Sequence, residues 1–339
     1  MSKRPSYLAN RRPLPAWFVL LRRKLKYGDR IWNGLTIVMA LVTLFLVLAI
    51  GLLLWRDSSS ARSLFGLEFL KPTLNGSWNP VANKFHAWPF IYGTLLTSLV
   101  ALIVAIPVSL GVAVFLAELC PAWLRVPLGW LVELLAAIPS VVYGLWGIFI
   151  FLPKVVTPVG IFLGDTLGQV PGLSLVFAGT IPTSGSSRLA AALILSIMII
   201  PTITAVTRDV FLAIPQGQRE ASLALGATQW ETISKILLPY GLSGILGAVI
   251  LGLGRALGET MAVTMVIGNS IEGSPSLLRP GYTMSSIIAN EFAEAVSPIH
   301  TGALVEIALV LFGLTLLLNI GARFLVWRVS RRNPQEVRA

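Results

Sequence analysis

Charged residues are scarce in this sequence. Of its 339 residues, 12% are Asp, Glu, Lys or Arg, whereas 55% are hydrophobic. A soluble globular protein has about 25% charged residues, so this chain lacks the charge that a water-facing surface requires. The composition therefore excludes an ordinary soluble domain and indicates an integral membrane protein.

Cysteine and histidine are almost absent. Cys120 is the single cysteine and the chain has two histidines, which excludes an intrachain disulfide framework and disfavours a zinc site of Cys and His ligands. The sequence also lacks a His-Glu-x-x-His pattern and the Gly-x-x-x-x-Gly-Lys-Ser/Thr loop that binds ATP phosphates. We predict no metal, no cofactor and no ATP site in this chain.

Long apolar stretches are abundant. A helix needs about 20 apolar residues to cross ~30 Å of hydrocarbon. The stretch at 155–181 is interrupted by prolines and glycines, and we predict an excursion with short helices on the outer face there. The sequence predicts an all-α integral membrane protein with six transmembrane helices, at 31–55, 92–117, 128–152, 189–210, 241–268 and 303–327.

The basic residues predict the orientation, because Lys and Arg are retained on the cytoplasmic side. With an even number of spans, 18 of the 26 Lys and Arg fall on the side of both termini and seven on the other. We predict a cytoplasmic basic tail at 1–30, an external loop at 56–91 and a cytoplasmic C-terminal tail at 328–339. The net charge of +11 is then explained by orientation and contact with membrane lipid, not by nucleic-acid binding.

The connection at 215–239 contains a helical pattern on the predicted cytoplasmic side. Small residues between 221 and 226 would allow a neighbouring surface to approach closely, and Gly226 is expected to end a first helix before a second one opens at 227–231. The alternative is an amphipathic helix lying on the membrane. It is disfavoured because 216–228 has no strongly apolar face.

This connection resembles a signature of the permease subunits of binding-protein-dependent ABC importers, which reads Glu-Ala-Ala, three residues, Gly, nine residues, Ile-x-Leu-Pro. The matching positions are Glu220, Ala221, Ser222, Gly226, Ile236, Leu238 and Pro239. Ser222 replaces the second Ala, a change between small residues. The resemblance implies a type I importer permease fold, with 92–327 as its core and 215–239 as the coupling segment. It also implies that Glu220, Ala221, Ser222 and Gly226 dock on a separate ATPase.

Two charged residues lie within the predicted fifth span. Arg255 falls near the middle of 241–268, where a charge costs about 2.5–3.5 kcal/mol. Glu259 follows at i+4, so the two side chains could neutralise each other on one helical face, or they could line a polar path. Along such a path, Arg255, Thr260, Thr264 and Asn269 would offer a positive charge and hydrogen-bond donors to an anion.

Three glycines of the same span recur at helical spacing. We predict that Gly247, Gly254 and Gly258 form a seam of close helix packing. The run from Gly254 to Asn269 resembles the PstC-type permease of the phosphate-specific ABC importer, as do 92–98 and 137–144. The resemblance implies that Arg255 and Glu259 belong to the translocation path for inorganic phosphate.

The resemblance also implies the partners and the location of the protein. They are a homologous second permease of PstA type, two ATPase subunits of PstB type and an external phosphate-binding protein of PstS type, in the bacterial cytoplasmic (inner) membrane. The chain is then a transporter subunit with no catalytic residue of its own. Two alternatives remain: a permease for another oxyanion or nutrient, since molybdate and sulfate are tetrahedral anions too, and an intramembrane enzyme, which the missing catalytic motifs disfavour.

Overall fold

The computed structural model describes residues 16–73 and 78–332, and the regular secondary structure of this part of the chain is helical, with no strand. The predicted tails at 1–30 and 328–339 therefore lie partly outside the described residues. The α-helices are α1 Ala16–Asp57, α2 Ser59–Phe65, α3 Trp88–Val114, α4 Ala122–Ala137, α5 Ser140–Trp146, α6 Thr157–Thr166, α7 Ser174–Phe177, α8 Arg188–Ala213, α9 Gln216–Ala224, α10 Gln229–Thr232, α11 Leu238–Tyr240, α12 Leu242–Gly258, α13 Met261–Val266, α14 Met284–Glu291 and α15 Pro298–Arg332.

The helices that can span a membrane confirm the all-α membrane fold. Five are long and apolar enough by themselves, and a sixth span results if the pair Gln229–Tyr240 and Leu242–Gly258, bent by 70°, is counted as one. The five are Ile31–Asp57, Trp88–Leu119, Ser140–Gln169, Arg188–Ala213 and Pro298–Arg328.

The N-terminal part of the chain, up to Leu53, forms a unit of its own. The described residues of this unit belong to α1. Within this helix the hydroxyl groups of Thr36 and Thr43 donate to the carbonyls of Trp32 and Met39, four residues earlier. These two hydroxyl groups are thus satisfied inside the helix, as a hydrocarbon environment requires.

Helix α8 forms the centre of the second unit, which begins at Leu54. It starts at Ser187, whose hydroxyl accepts a hydrogen bond from the Ala190 amide at 3.2 Å and so caps its N-terminus. Its small residues, Ala190 and Ala191, lie in one apolar cluster with Ala101 and Ala105 of α3. Small side chains allow helix backbones to approach closely in a membrane, which explains why α3 and α8 pack together.

The predicted third helix is broken in the structure. Instead of one helix over 128–152, α4 ends at Ala137 and α5 begins at Ser140. Pro139 has no amide proton and forces extended backbone on the residue before it, and Ile138 accordingly has ψ 130°. After α5 the chain continues through a π-helical segment, Gly147–Val156, into α6.

The ends of α14 and α15 hold the predicted loop 56–91 in place. The Glu291 carboxylate accepts a hydrogen bond of 2.7 Å from Trp78 Nε1 and lies 3.0 Å from His300 Nε2. Phe85 stacks on the His300 ring, and both aromatic rings are buried in the second apolar cluster or at its edge. The described residues of the predicted loop are therefore a folded part of the protein that includes α2.

Candidate functional site

Arg255 lies in the last turn of α12 and contacts two other helices. Its Nη1 donates to Thr202 Oγ1 of α8 at 3.0 Å, and both terminal nitrogens lie 3.4 Å from the Ala136 carbonyl at the end of α4. Among the described residues, none of the carboxylates is within 4.0 Å of this guanidinium. The positive charge is therefore held by neutral acceptors, and none of the described acidic side chains forms an ion pair with it.

Glu259 is not on the same helix as Arg255, so the prediction of one continuous helix with an i to i+4 pair is wrong. Helix α12 ends at Gly258, and Glu259 has extended backbone, with φ −68° and ψ 126°. Its Oε1 accepts a hydrogen bond of 3.3 Å from the amide of Ala262. The Glu259 carboxylate thus satisfies one of the free amides at the N-terminus of α13.

The other predicted path residues follow this break and donate their hydrogen bonds within the chain. Thr260 Oγ1 donates to the Gly258 carbonyl, and Thr264 Oγ1 donates to the Thr260 carbonyl at 2.8 Å. Asn269 has left-handed backbone with φ 47°, and its Nδ2 donates to the Thr264 carbonyl at 3.0 Å. Its Oδ1 is buried without a hydrogen-bond partner. The two hydroxyl groups keep free lone pairs, while their protons are already engaged.

A groove of about 840 Å³ opens beside Arg255, between α12 and α15. We call it the Arg255 groove. It is lined by Thr202, Gly247, Ile250, Leu251, Gly254, Arg255, Asn319, Arg323, Val326 and Trp327. This lining contains two guanidinium groups and no carboxylate.

Asn319 and Arg323 are groove residues that the sequence analysis missed. Both lie on α15, more than 60 residues after Arg255 in the sequence. The only signal at Arg323 was its positive charge near the end of an apolar span, and this signal is shared by every residue that orients a helix in the membrane. Their proximity to Arg255 follows from the packing of α12 on α15.

The predicted glycine seam is wrong within this chain. A Cβ atom placed on Gly247, Gly254 or Gly258 would have no heavy atom within 4 Å outside its own helical backbone. The close contacts of α12 are made by Gly244 and Gly252 instead. A Cβ atom on Gly244 would lie 2.5 Å from Val210 Cγ2, and one on Gly252 would lie 2.7 Å from Ile203 Cδ1.

The segment 215–239 has the predicted two-helix structure. Helix α9 ends in a left-handed turn at Gly226, with φ 86°, and the Ala227 amide donates to the Ser222 carbonyl at 3.2 Å. Helix α10 opens with a capping box, in which Thr228 Oγ1 accepts from the Glu231 amide and Glu231 Oε2 accepts from the Thr228 amide. The prediction that Gly226 separates two helices is confirmed.

The residues of this segment divide into an outer and an inner set. Glu220 and Ala221 are exposed, and so are the apolar side chains of Leu225 and Trp230, at 89% and 70%. Ser222 points inward, where its hydroxyl lies 2.9 Å from Thr232 Oγ1. The serine in place of alanine thus ties α9 to α10, and the outer set forms an open surface.

No metal centre accompanies these features in the described part of the chain. None of its His, Cys, Asp and Glu residues form a group of three that could hold a metal ion. The chemistry that the arrangement offers is anion binding at a guanidinium whose donors are only partly used.

Comparison with known proteins relates the chain to transport proteins. Residues 109–331 match the family described as binding-protein-dependent transport system inner membrane component. The phosphate transport system permease protein PstC of Mesorhizobium japonicum is 44% identical over 310 residues, covering 91% of this chain and 93% of that protein. Its counterpart in Xylella fastidiosa strain Temecula1 is 45% identical over 298 residues, 88% of this chain and 90% of that protein.

A solved structure shows the same fold. A chain in the crystal structure of a bacterial ABC transporter, involved in the import of the acidic polysaccharide alginate, superposes with a TM-score of 0.57 at 15% identity. The match covers 91% of this chain and 99% of that chain.

Proposed function

The chain belongs to the family of binding-protein-dependent transport system inner membrane components, as a permease subunit of the PstC type, and we propose that it forms part of the pathway for inorganic phosphate. In this role it works with a homologous second permease, two ATPase subunits and an external phosphate-binding protein. The chain is a transport component and not an enzyme.

The Arg255 groove is the observation that supports this function. A charged side chain inside a membrane protein is costly, so it is expected to face a partner or an aqueous cavity. Arg255 has neutral partners and borders a cavity large enough for a small solute. A phosphate ion would supply the negative charge, and its oxygens match the fork of a guanidinium.

The path residues on the far side of the break extend this proposal. In the proposed path Glu259 fixes the start of α13, while Thr260, Thr264 and Asn269 border the route away from Arg255. The lone pairs of the Thr260 and Thr264 hydroxyl groups can accept hydrogen bonds from water or from a hydrogenphosphate ion. These groups suit an ion that carries hydroxyl groups itself.

The exposed surface of α9 and α10 supports the proposed docking of an ATPase. Glu220, Ala221, Leu225 and Trp230 are exposed, and a partner subunit would cover their apolar area. ATP-driven closure of the ATPases would shift the permease between two packings of its helices. In this proposal both termini and the segment 215–239 lie on the cytoplasmic side.

Uptake into vesicles tests the function. The complete complex is reconstituted with its ATPases, second permease and binding protein, and radiolabelled phosphate is measured with and without ATP. We expect ATP-dependent accumulation of phosphate that excess sulfate or molybdate does not reduce. A complex that assembles and hydrolyses ATP without accumulating phosphate would contradict the proposal, and uptake of sulfate or molybdate instead would assign it to another oxyanion.

A further inference from the structure

Arg219 is the one basic residue of α9, and its side chain points away from the exposed surface that Glu220 and Ala221 present. Its Nε donates to Glu118 Oε1 at 3.0 Å, and Nη2 lies 2.9 Å from the same oxygen. Nη1 donates to the Ile214 carbonyl and Nη2 to the Phe211 carbonyl, both at 2.6 Å. Both charged side chains are only 17% exposed.

The partners of Arg219 belong to two different membrane helices. Glu118 lies in the π-helical segment Phe115–Leu119, which continues α3. Phe211 lies in the last turn of α8, and Ile214 is the first residue after the end of that helix. The final carbonyls of a helix have no partner within the helix, so a guanidinium here satisfies them and also binds a carboxylate. One side chain thereby joins α9 to the ends of α3 and α8.

We infer that the ion pair of Arg219 with Glu118, the Arg219–Glu118 link, is the positioning contact through which a displacement of α9 moves α3 and α8. The inference rests on the proposed function, because it requires a partner that displaces α9. The planar guanidinium of Arg219 donates to three different residues at once, which the ammonium group of a lysine cannot reproduce in this geometry. A largely buried ion pair that loses one partner leaves a charge without compensation, so separating the two side chains of the link is costly.

A cavity beside the link shows that α9 is not packed continuously on the helix ends. It measures about 80 Å³ and is lined by Glu118, Leu119, Arg219, Leu223, Gln229, Thr232 and Ile233. Apolar packing between α9 and α3 is therefore interrupted at this place. Arg219 and Glu118 both border this gap, so in our inference a displacement of α9 acts on α3 through these charged groups.

A second ion pair in the same segment serves as a matched control. Lys235 Nζ lies 2.9 Å from Glu231 Oε1, but the two side chains are 70% and 40% exposed and four residues apart in one helical stretch. This pair connects no separate elements. An exposed i to i+4 pair contributes about 0.3–0.5 kcal/mol, so its loss is expected to have little effect.

The test measures phosphate uptake per ATP hydrolysed in the reconstituted complex. Variants Arg219→Gln, Arg219→Lys and Glu118→Gln are compared with Lys235→Gln. We expect Arg219→Gln to assemble with the ATPases and hydrolyse ATP while uptake per ATP falls about tenfold, since charge-assisted bonds are lost. Glu118→Gln, which leaves the carbonyl bonds intact, and Arg219→Lys, which keeps the charge, should fall less, and Lys235→Gln should equal the native chain.

Two results would overturn the inference. One is native uptake per ATP in assembled Arg219→Gln and Glu118→Gln complexes. The other is that purified complexes of both variants lose ATPase subunits, while the complexes that keep them show native uptake per ATP hydrolysed. The link would then be a docking contact only. If the native complex transports a different oxyanion, the ratio is measured with that ion, so failure of the phosphate assignment is seen separately.

Discussion

The glycines on the two faces of α12 have different surroundings. Toward α8, Gly244 and Gly252 leave space that Val210 and Ile203 fill. Toward α15, the absent side chain of Gly247 leaves space that stays open and becomes part of the Arg255 groove. Glycines recur at helical spacing on both faces. The spacing therefore indicates a face rich in small residues, but it does not show whether that face packs against another helix or borders a cavity.

Arg255 stands between these two faces. It borders the open groove, yet its bond to Thr202 anchors it on α8, the packed side. The comparison therefore separates the residues of α12 that pack against another helix from those that border the Arg255 groove. Substitutions on the two faces should change different measured quantities, stability on one and transport on the other.

The largest effect is expected at Arg255. We predict that Arg255→Gln lowers phosphate uptake by the reconstituted complex about tenfold or more, because about 1.4 kcal/mol of lost stabilisation of the ion in the path gives that factor. Arg255→Lys keeps the charge without the fork and should retain part of the uptake. Initial rates of radiolabelled phosphate accumulation measure the change.

Arg328 supplies the control for this substitution. It is an exposed arginine of α15 outside the groove lining. Arg328→Gln should transport at the native rate. Equal rates for the Arg255→Gln complex and the native complex would show that the open face of α12 does not meet the ion.

The next effect concerns stability on the packed face. A Cβ atom at Gly244 would lie 2.5 and 2.7 Å from the two methyl carbons of Val210 and 3.2 Å from its Cβ, and this β-branched side chain cannot turn away. Gly244→Ala should therefore destabilise the chain by about 1–3 kcal/mol. The midpoint of thermal or denaturant unfolding in detergent measures this loss.

The matched substitution three residues later should behave differently. Gly247→Ala meets open space and should leave stability unchanged or raise it by up to about 1 kcal/mol, because alanine favours a helix over glycine. If both variants unfold at the same midpoint, the distinction between the faces fails.

The smallest effect is expected at Thr202, which joins the faces. Thr202→Val removes the hydroxyl that accepts the 3.0 Å bond from Arg255 and keeps the shape of the side chain. We predict a reduction of uptake by about twofold to fivefold at unchanged stability, because the guanidinium keeps its charge and loses one charge-assisted bond. Thr204→Val on the same helix, whose hydroxyl faces Ser109, is the control; uptake lowered equally in both variants would show that Thr202 has no special role.

Local patterns in the sequence were sufficient to predict the two helices of the segment 215–239. Gly226 and the Thr228 to Glu231 capping box depend on neighbours within a few residues, and the structure confirms the two helices that they predict. The break between Gly258 and Met261 is local too. It was missed because the apolar residues around it continue a helical pattern while Glu259, read as the partner of Arg255, caps the next helix.

Contacts between distant residues could not be found in this way. Arg323 and Asn319 reach the groove from α15, and Glu118 meets Arg219 across about a hundred residues of sequence. In each case an apolar stretch with one charge predicts a membrane helix, but it does not predict toward which neighbouring helix the charged side chain points.

The sequence by itself determined that this chain enters a membrane as a bundle of helices and that a two-helix segment connects two of them. These properties follow from the transfer of apolar residues out of water and from hydrogen bonds closed within a few residues. Only the tertiary structure decided which glycines are packed, which arginine is paired and which one faces an open groove. Those properties depend on the rotation of each helix about its axis, and that rotation is set by all neighbouring helices together.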